Sequence, residues 1–260
     1  MNAPRYAKKK GPLQSLGRQV RDLFIRAFPI EMRAEHGLTV LLRNRSELSV
    51  YRGIFVERCY PFEPYAGELA GVDAPMVFDV GANSGLFAAA VLDRWRQAQV
   101  HSFEPQRGLI ARIAEMSEIN GLSAQHSVNW CAVSNREGEA EFFENRNPIS
   151  ASLFREKAAR RSVKRVSRVP MITLDGYAKS RGIARVDLIK MDVEGAELDA
   201  LHGARQVLGG VKLLYLEVHP PFCTFSQAAA LLKESGLVCL NAGPPPGDTA
   251  QANCVFGRRH

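Results

Sequence analysis

The feature that most constrains this chain is an apolar strand pattern that runs through glycines into a helical pattern. Met76 to Val80 is apolar except for Asp79, and Leu86 to Leu92 restarts an apolar run of helical length beyond Gly81 and Gly85. This order predicts a strand, a turn and a helix, the opening of an α/β unit. Such units bind ligands beyond the carboxyl ends of their strands, where glycines allow close approach to backbone N–H groups. The helix N-terminus that follows favours a carboxylate or phosphate.

The spacing within the turn narrows the class of ligand. The turn reads G-x-N-x-G, which differs from the G-x-G-x-x-G of dinucleotide loops and from the G-x-x-x-x-G-K-[ST] of phosphate loops. Asp79 would repel a pyrophosphate but accept hydrogen bonds from an ammonium group, which suits the amino-acid end of S-adenosylmethionine. We therefore predict cofactor contacts from Asp79, Gly81, Ala82, Asn83 and Gly85.

A second acid follows one strand and one helix later. Glu104 lies at the end of the second predicted strand, which includes Val100 to Phe103, about 20 residues beyond the glycine turn, where an acid is expected to hold ribose hydroxyls. Pro105 fixes the chain as it leaves the strand. We predict that Glu104 and Pro105 contact the cofactor; the alternative is that Glu104 caps the next helix.

Four sequence blocks carry a resemblance to a known family. They are D-V-G-A-N-x-G from Asp79, F-E-P at Phe103 to Pro105, T-L-D at Thr173 to Asp175, and K-x-D-V-E-G-A-E at Lys190 to Glu197. In this order they resemble the FkbM-type family of S-adenosylmethionine-dependent methyltransferases, from about Val77 to Leu208. The resemblance implies a class I methyltransferase fold: a Rossmann-like, doubly wound α/β sheet of seven strands, mostly parallel, with an antiparallel last strand. It also implies S-adenosylmethionine as cofactor and methyl transfer to an oxygen.

Two further predicted strands follow along the chain. His126 to Val133 is predicted as one strand whose carboxyl end faces the adenine, so Asn129 and Ala132 are further predicted cofactor contacts. Glu139 to Phe143 alternates like a half-exposed strand and is predicted to extend an edge or to form a small β insertion.

Three carboxylates follow the buried strand predicted from Asp187 to Met191. Asp192, Glu194 and Glu197 would raise one another's proton affinity, which is a reason to expect chemistry there. Transfer to an alcohol needs removal of a proton, and a base contributes roughly 10² to 10⁴ in rate. Asp192 is our first choice for that base or for orienting the acceptor, with Glu194 as a second catalytic candidate. Glu197 has an alternative role at the start of a helix predicted to run to Leu208.

The strand predicted from Lys212 to Val218 brings Glu217 and His219 to the same edge of the sheet. His219 could take the proton instead of Asp192, or could be structural. The side chains of Asp192, Glu194, Glu217 and His219 could also bind a divalent cation. The carboxylate spacing is locally similar to the D-x-D-x-x-E turn of metal-dependent macrocin-type sugar methyltransferases, but we expect no metal.

The N-terminal part of the chain differs from the rest in charge. The first 58 residues hold 12 basic and 5 acidic side chains, which accounts for the whole formal charge of +7. We divide the chain into a basic extension, residues 1–65, and a methyltransferase domain, residues 66–260.

An amphipathic helix predicted from Leu16 to Phe28 could lie on a membrane surface; the alternative is docking onto the catalytic domain or onto a partner subunit in a homo-oligomer. The aromatic segment Tyr60 to Tyr65 either lines the acceptor pocket or packs the extension.

The expected acceptor is a small molecule or carbohydrate that offers a hydroxyl group: a sugar, a glycan precursor or a secondary metabolite. Arg155 to Arg168 carries seven basic residues against Glu156, which would attract an anionic acceptor unless it is only a solvated face. Nucleic-acid methylation is the alternative that the basic segments suggest. However, the imidazole of His219 in His-Pro-Pro-Phe lacks the side-chain oxygen that the N/D-P-P-Y/F motif supplies. A non-catalytic cofactor-binding module is the third interpretation.

Cysteine use indicates the compartment. Five cysteines form no C-x-x-C pair, no apolar signal region follows the N-terminal lysines, and no uncharged stretch reaches the roughly 18 residues of a membrane span. We therefore predict reduced thiols in a cytoplasmic protein.

Overall fold

The structure is a computed structural model that describes residues 28–145, 152–153, 163–242 and 245–258. Nearly all of the predicted amphipathic helix, and residues 155–162 of the basic stretch, lie outside these ranges. Membrane contact and self-association through the N-terminal segment therefore stay predictions.

The described residues alternate between strands and helices after a short N-terminal extension. The elements are β1 (Ile30–Arg33), β2 (Thr39–Leu42), α1 (Arg45–Tyr51), a π turn (Arg52–Val56), a 3-10 turn (Glu63–Tyr65), β3 (Met76–Val80), α2 (Leu86–Arg94), β4 (Gln99–Phe103), α3 (Arg107–Ile119), β5 (His126–Asn129), β6 (Ala132–Val133), β7 (Gly138–Asn145), β8 (Val163–Ile172), α4 (Leu174–Ser180), β9 (Leu188–Met191), α5 (Glu197–His202), α6 (Arg205–Leu208), β10 (Leu213–Val218), α7 (Phe225–Glu234), β11 (Leu237–Cys239) and β12 (Ala252–Arg258). Within these ranges, no helix combines the length and the apolarity that crossing a bilayer requires.

Seven strands form the central sheet in the order β11-β12-β10-β9-β3-β4-β5. β5, β4, β3, β9 and β10 are mutually parallel, whereas β12, the last strand of the chain, is antiparallel to both of its neighbours. The predicted class I methyltransferase fold is confirmed. The carboxyl ends of β3, β4, β9 and β10 meet at one edge of the sheet, where such folds bind ligands.

The central strands are apolar because both faces of the sheet are covered. Phe78 and Ile189 point into one core layer, while Val77, Leu188 and Tyr215 point into the other, and all five are at most 1% exposed. Burial on both faces is why these strands read as nearly continuous apolar runs. A charged residue within such a buried strand therefore needs a partner of opposite charge or a hydrogen-bonding group.

Hydrogen bonds from side chains of the sheet domain to the backbone hold the N-terminal extension in place. The carboxylate of Asp93 on α2 accepts the backbone N–H groups of His36 and Leu38, each at 2.9 Å. The Asn120 side chain accepts from the N–H of Thr39 and donates to its carbonyl. Leu38 is fully buried in the same core layer as Val77, so the extension completes the cover over one face of the sheet.

A small second sheet, ordered β6-β8-β7, lies beside the main one. It confirms the β insertion predicted at Glu139 to Phe143, but it shows that the single strand predicted from His126 to Val133 is wrong. That segment leaves the main sheet after Asn129, where the Trp130 ring N–H donates to the carbonyl of Pro105 at 2.8 Å. Ala132 and Val133 then pair with β8.

The single helix predicted from Glu197 to Leu208 is also wrong, because α5 ends at His202 and α6 begins at Arg205. The break lies at Gly203. A Cβ there would be 2.0 Å from the carbonyl oxygen of Ser134, so the backbones meet too closely for any other residue.

The aromatic segment before the first central strand packs as a cluster. The rings of Tyr60, Phe62 and Tyr65 surround that of Tyr215, with centroid distances of 5.5, 6.1 and 6.5 Å. The segment therefore packs against the domain as one interpretation predicts, and Tyr60 in addition lines a cavity beside the glycine turn.

Candidate active site

The glycine turn after β3 is fixed between two neighbouring strands. The N–H groups of Gly81 and Ala82 both donate to the carbonyl of Phe103 at 3.0 Å. Gly81 has φ +76°, and a Cβ on it would lie 1.9 Å from the carbonyl oxygen of Asp192. Only glycine allows this approach, so the turn holds the ends of β3, β4 and β9 together.

Glu104 is held firmly at the end of β4. One carboxylate oxygen accepts the N–H of Asn83 at 2.7 Å and the other accepts the N–H of Gln106 at 2.8 Å. The residue is 4% exposed, and burial raises its pKa to about 7, although both N–H groups oppose the rise. Each oxygen keeps a further lone pair for a ligand hydroxyl.

A cleft opens beside Glu104. Its lining combines three acids with apolar and backbone groups: Gly81, Phe103, Glu104, Pro105, Gln106, Cys131, Ala132, Val133, Phe142, Leu153, Asp192, Val193 and Glu194. Glu104 beside apolar walls fits a nucleoside, whose hydroxyls need an acceptor and whose base needs apolar contact. We name this space the cofactor cleft.

A second cavity also adjoins the glycine turn. It is lined by Ser49, Val50, Gly53, Ile54, Cys59, Tyr60, Ala82, Asn83, Leu86, Phe87, Lys190, Asp192, Glu217 and Asn253. Asp192 lines both spaces, and we name this one the acceptor cavity. Burial, followed by the nearby Asp192, raises the pKa of Glu217 to about 7.

Asp79 lines neither space. It is fully buried, and Asp79 Oδ1 lies 3.6 Å from Lys190 Nζ, the residue beside it on β9. Burial raises the pKa of Asp79, and the Lys190 charge opposes the rise. The direct contact with a cofactor ammonium that we predicted is not what this geometry offers, because Lys190 already takes the carboxylate's charge.

Lys190 is the site residue to which the sequence analysis gave no role. Its ammonium donates to the carbonyl of Gly81 at 2.6 Å and lies 4.0 Å from Asp192 Oδ2. Burial would lower its pKa, but the carboxylates of Asp79 and Asp192 outweigh burial and raise it. A lysine within the apolar run of β9 was the signal for it, because a buried charge needs a partner.

Asn129 also lies outside the lining of both spaces. Its side chain donates to the carbonyl of Ser102 at 3.1 Å and accepts from the Tyr177 hydroxyl at 3.1 Å. Its carbonyl accepts the N–H of Glu104, so Asn129 supports the end of β4 from behind. Of the residues predicted beside the adenine, the structure brings Ala132 to the cofactor cleft.

The remaining predicted cofactor residues divide between the two spaces. Gly81 and Pro105 line the cofactor cleft, while Ala82 and Asn83 line the acceptor cavity. Gly85 precedes α2 with φ +78° and lines neither space; a Cβ on it would be 3.1 Å from Ile113. Its role here is to let α2 pack closely against α3.

The turn after β9 is organised around the fully buried Glu197. Glu197 Oε1 accepts the N–H groups of Val193 at 3.3 Å and Gly195 at 2.9 Å, and it lies 2.8 Å from His219 Nδ1. Glu194 adopts φ +55°, and its carbonyl accepts the Ser152 hydroxyl at 2.8 Å. Glu197 thus holds both the turn after β9 and the His219 imidazole. Its role is wider than the helix-capping role that the sequence offered as an alternative.

His219 lies behind the carboxylates. It is 4% exposed and lines neither space, while its Nε2 lies 3.9 Å from Asp192 Oδ1 and 3.7 Å from Glu194 Oε2. Glu197 therefore holds the His219 imidazole with its Nε2 facing Asp192, the carboxylate that lines both spaces. Asp192, Glu197 and His219 also offer ligand atoms within 4.8 Å of one another, so the cation alternative stays open.

Comparison with known proteins assigns the family. Residues 79–238 match the methyltransferase FkbM domain, which is more than half of the chain. The chain belongs to the FkbM methyltransferase family. This FkbM-family protein is a methyltransferase by family, and S-adenosylmethionine is its cofactor.

Individual relatives of the FkbM-family protein are distant. It is 26% identical to the 31-O-demethyl-FK506 methyltransferase FkbM of Streptomyces tacrolimicus over 88% of this chain and 96% of that protein. It is 27% identical to the 2-O-methyltransferase NoeI of Sinorhizobium fredii strain NBRC 101917 / NGR234, over 55% of this chain and 63% of that protein. A solved S-adenosylmethionine-dependent methyltransferase from Agrobacterium tumefaciens aligns with TM-score 0.47 and 14% identity, over 88% of this chain and 69% of that one. A likeness this distant carries nothing about activity.

Proposed function

We propose that this protein transfers a methyl group from S-adenosylmethionine to a hydroxyl oxygen of a small-molecule or carbohydrate acceptor. The observation that carries the proposal is that Asp192 lines both the cofactor cleft and the acceptor cavity. A carboxylate at that junction can take the proton of a hydroxyl as its oxygen is methylated. Two relatives bear names that specify O-methylation, which supports the same reaction here.

Each group has a separate role in this proposal. S-adenosylmethionine supplies the electrophilic methyl group. Glu104 accepts hydrogen bonds from ribose hydroxyls, and the backbone of the glycine turn bounds the cofactor cleft beside it. Asp192 accepts the acceptor's proton, while His219 lies beside Asp192 outside the acceptor cavity and Glu194 lines the cofactor cleft.

The acceptor cavity favours an uncharged acceptor over the anionic one that the sequence suggests. Its lining includes the carboxyl groups of Asp192 and Glu217, and the ammonium of Lys190 already faces Asp79 and Asp192. An acceptor anion would meet net negative charge there. The described bases of the basic stretch, from Lys164 to Arg168, lie on β8 and do not line this cavity.

The compartment that we propose is the cytoplasm. All five cysteines are unbridged in the described part of the chain, which supports a reducing environment.

The direct test is transfer of labelled methyl groups. Purified protein is incubated with tritium-labelled S-adenosylmethionine and a panel of methyl glycosides, hydroxylated macrolides and matched amines and carboxylic acids. The expected product is a methyl ether, whose label survives mild alkali. Label released as methanol, as from an ester, or label found only on amines would contradict O-methylation.

A further inference from the structure

Lys190 occupies an unusual position for a charged group. It lies in β9 between two fully buried residues, Ile189 and Met191, and its side chain is 6% exposed. It nevertheless reaches the lining of the acceptor cavity. A buried ammonium is costly to keep, so its position calls for an explanation beyond packing.

Asp79 provides the partner that keeps this ammonium charged. The two residues are opposite each other in the β3–β9 pairing, and the 3.6 Å separation leaves Asp79 Oδ1 without a hydrogen bond. The charge is thus balanced, but the donor hydrogens are not committed to Asp79. Among the described residues, the one hydrogen bond of the Lys190 ammonium goes to the carbonyl of Gly81.

The gap between Lys190 and Asp192 has the dimensions of a binding site for one oxygen atom. Lys190 Nζ and Asp192 Oδ2 are 4.0 Å apart, too far for a hydrogen bond. An oxygen placed between them can lie about 2.8 Å from both atoms. A hydroxyl fits both partners, because it accepts from the ammonium and donates to the carboxylate.

We propose that Lys190 is a catalytic residue that, together with Asp192, holds the acceptor hydroxyl and stabilises the negative charge that develops on its oxygen. This inference rests on the proposed function. As the new oxygen–carbon bond forms, the sulfur–carbon bond breaks, the sulfur keeps the electron pair, and the proton passes to Asp192. The fixed ammonium lowers the energy of the oxygen as its proton leaves.

The same pair selects the acceptor class. A protonated amine cannot accept a hydrogen bond from Lys190 and would meet a like charge. A carboxylate would instead meet Asp192 and Glu217. The pair therefore selects a neutral hydroxyl.

The variants must separate this role from folding. K190M alone leaves the Asp79 carboxylate buried without its cation, which can unfold the protein. The test variant is therefore D79N/K190M, which removes both charges of the buried pair, and its reference is D79N, which keeps Lys190. Affinity for S-adenosylhomocysteine checks that the cofactor cleft is intact in both.

The first measurement needs no acceptor. Sinefungin carries an amine where S-adenosylmethionine carries its methyl group. Its positive charge therefore probes the electrostatic environment at the position of the transferred methyl group, which we name the transfer point. Calorimetry near neutral pH should show that the affinity ratio of sinefungin to S-adenosylhomocysteine rises at least about tenfold from D79N to D79N/K190M, because a nearby positive charge is removed. A ratio that stays within about twofold would overturn the proposal.

The second measurement uses whichever methyl glycoside or macrolide of the panel takes the label. The turnover of D79N/K190M should be at least about 100-fold below that of D79N, with the KM for S-adenosylmethionine changed little. Equal turnover of the two variants would overturn the role of Lys190 even where O-methylation is established. If no hydroxyl in the panel is labelled, the proposed function fails, while the sinefungin ratio still decides whether Lys190 carries charge at the transfer point.

Discussion

At the scale of single residues, Glu104 links cofactor binding to pH. Burial raises its pKa to about 7 in the free protein, and ribose hydroxyls need its ionised form as the acceptor. Affinity for S-adenosylmethionine should therefore fall about tenfold per pH unit below pH 7 and level off above it. Calorimetry across this range tests the expectation.

The matched variant for that prediction is Glu104→Gln. It should bind S-adenosylmethionine roughly 10 to 100 times more weakly at alkaline pH, because hydrogen bonds to a charged acceptor are lost. Its affinity should no longer vary with pH between mildly acidic and alkaline values. A variant that keeps the pH dependence would assign it to another group.

Gly81 offers a prediction about close backbone approach. Gly81→Ala should cost more than about 2 kcal/mol of unfolding free energy, because it adds a contact with the Asp192 carbonyl to the strain of a positive φ. Gly121→Ala is the control: its φ is +66° but no atom lies within 4 Å of the added Cβ, so it should cost about 1 kcal/mol. Equal losses in denaturant unfolding would show that the approach to Asp192 does not constrain the turn.

The sequence predicted residues whose role depends on the backbone better than residues whose role depends on side-chain direction. It located Gly81 and Glu104 correctly in the fold because strand ends and turns follow from apolar pattern. It gave Asp79 a direct ligand contact because pattern alone does not reveal that Lys190, far along the chain, lies beside it in the sheet. The Asn129 side chain likewise contacts Ser102 and Tyr177, partners that pattern alone does not reveal.

At the scale of secondary structure elements, the β1–β2 hairpin depends on a single carboxylate. Asp93→Ala removes the acceptor of two N–H groups, one of them buried, and should cost about 2 to 4 kcal/mol of unfolding free energy. Limited proteolysis should then cleave near His36 faster than in the parent protein.

Asp175→Ala is the control for this effect, because Asp175 likewise accepts two backbone N–H groups, at the start of α6. It should lower stability without increasing cleavage near His36. Equal cleavage in the two variants would show that the hairpin opens through general destabilisation.

The central strands and the β insertion were predictable from apolar pattern and length, whereas the β1–β2 hairpin, α1 and the element breaks were not. The split of the predicted helix at Gly203 depends on the Ser134 carbonyl, and the early end of β5 depends on Trp130 reaching Pro105. Both are contacts between distant segments that no local pattern encodes.

At the scale of the whole molecule, the proposed reaction removes the acceptor's proton with a side chain of the protein and needs no metal ion. Excess EDTA should therefore change the rate of methyl transfer by less than about twofold. Loss of transfer that Mn²⁺ restores would instead make Asp192, Glu197 and His219 cation ligands, consistent with their mutual distances. The measurement is the labelled-methyl assay with and without the chelator.

Asp192 lines both the cofactor cleft and the acceptor cavity, and the variant Asp192→Asn tests whether its carboxylate is the base of the reaction. Calorimetry with S-adenosylhomocysteine, which carries no sulfonium charge, and the labelled-methyl assay are run on the same preparation of this variant. We expect affinity for S-adenosylhomocysteine within about threefold of the parent protein and methyl transfer at least about 100-fold slower, since the base is removed. Transfer at the parental rate, with S-adenosylhomocysteine bound normally, would contradict this role of Asp192.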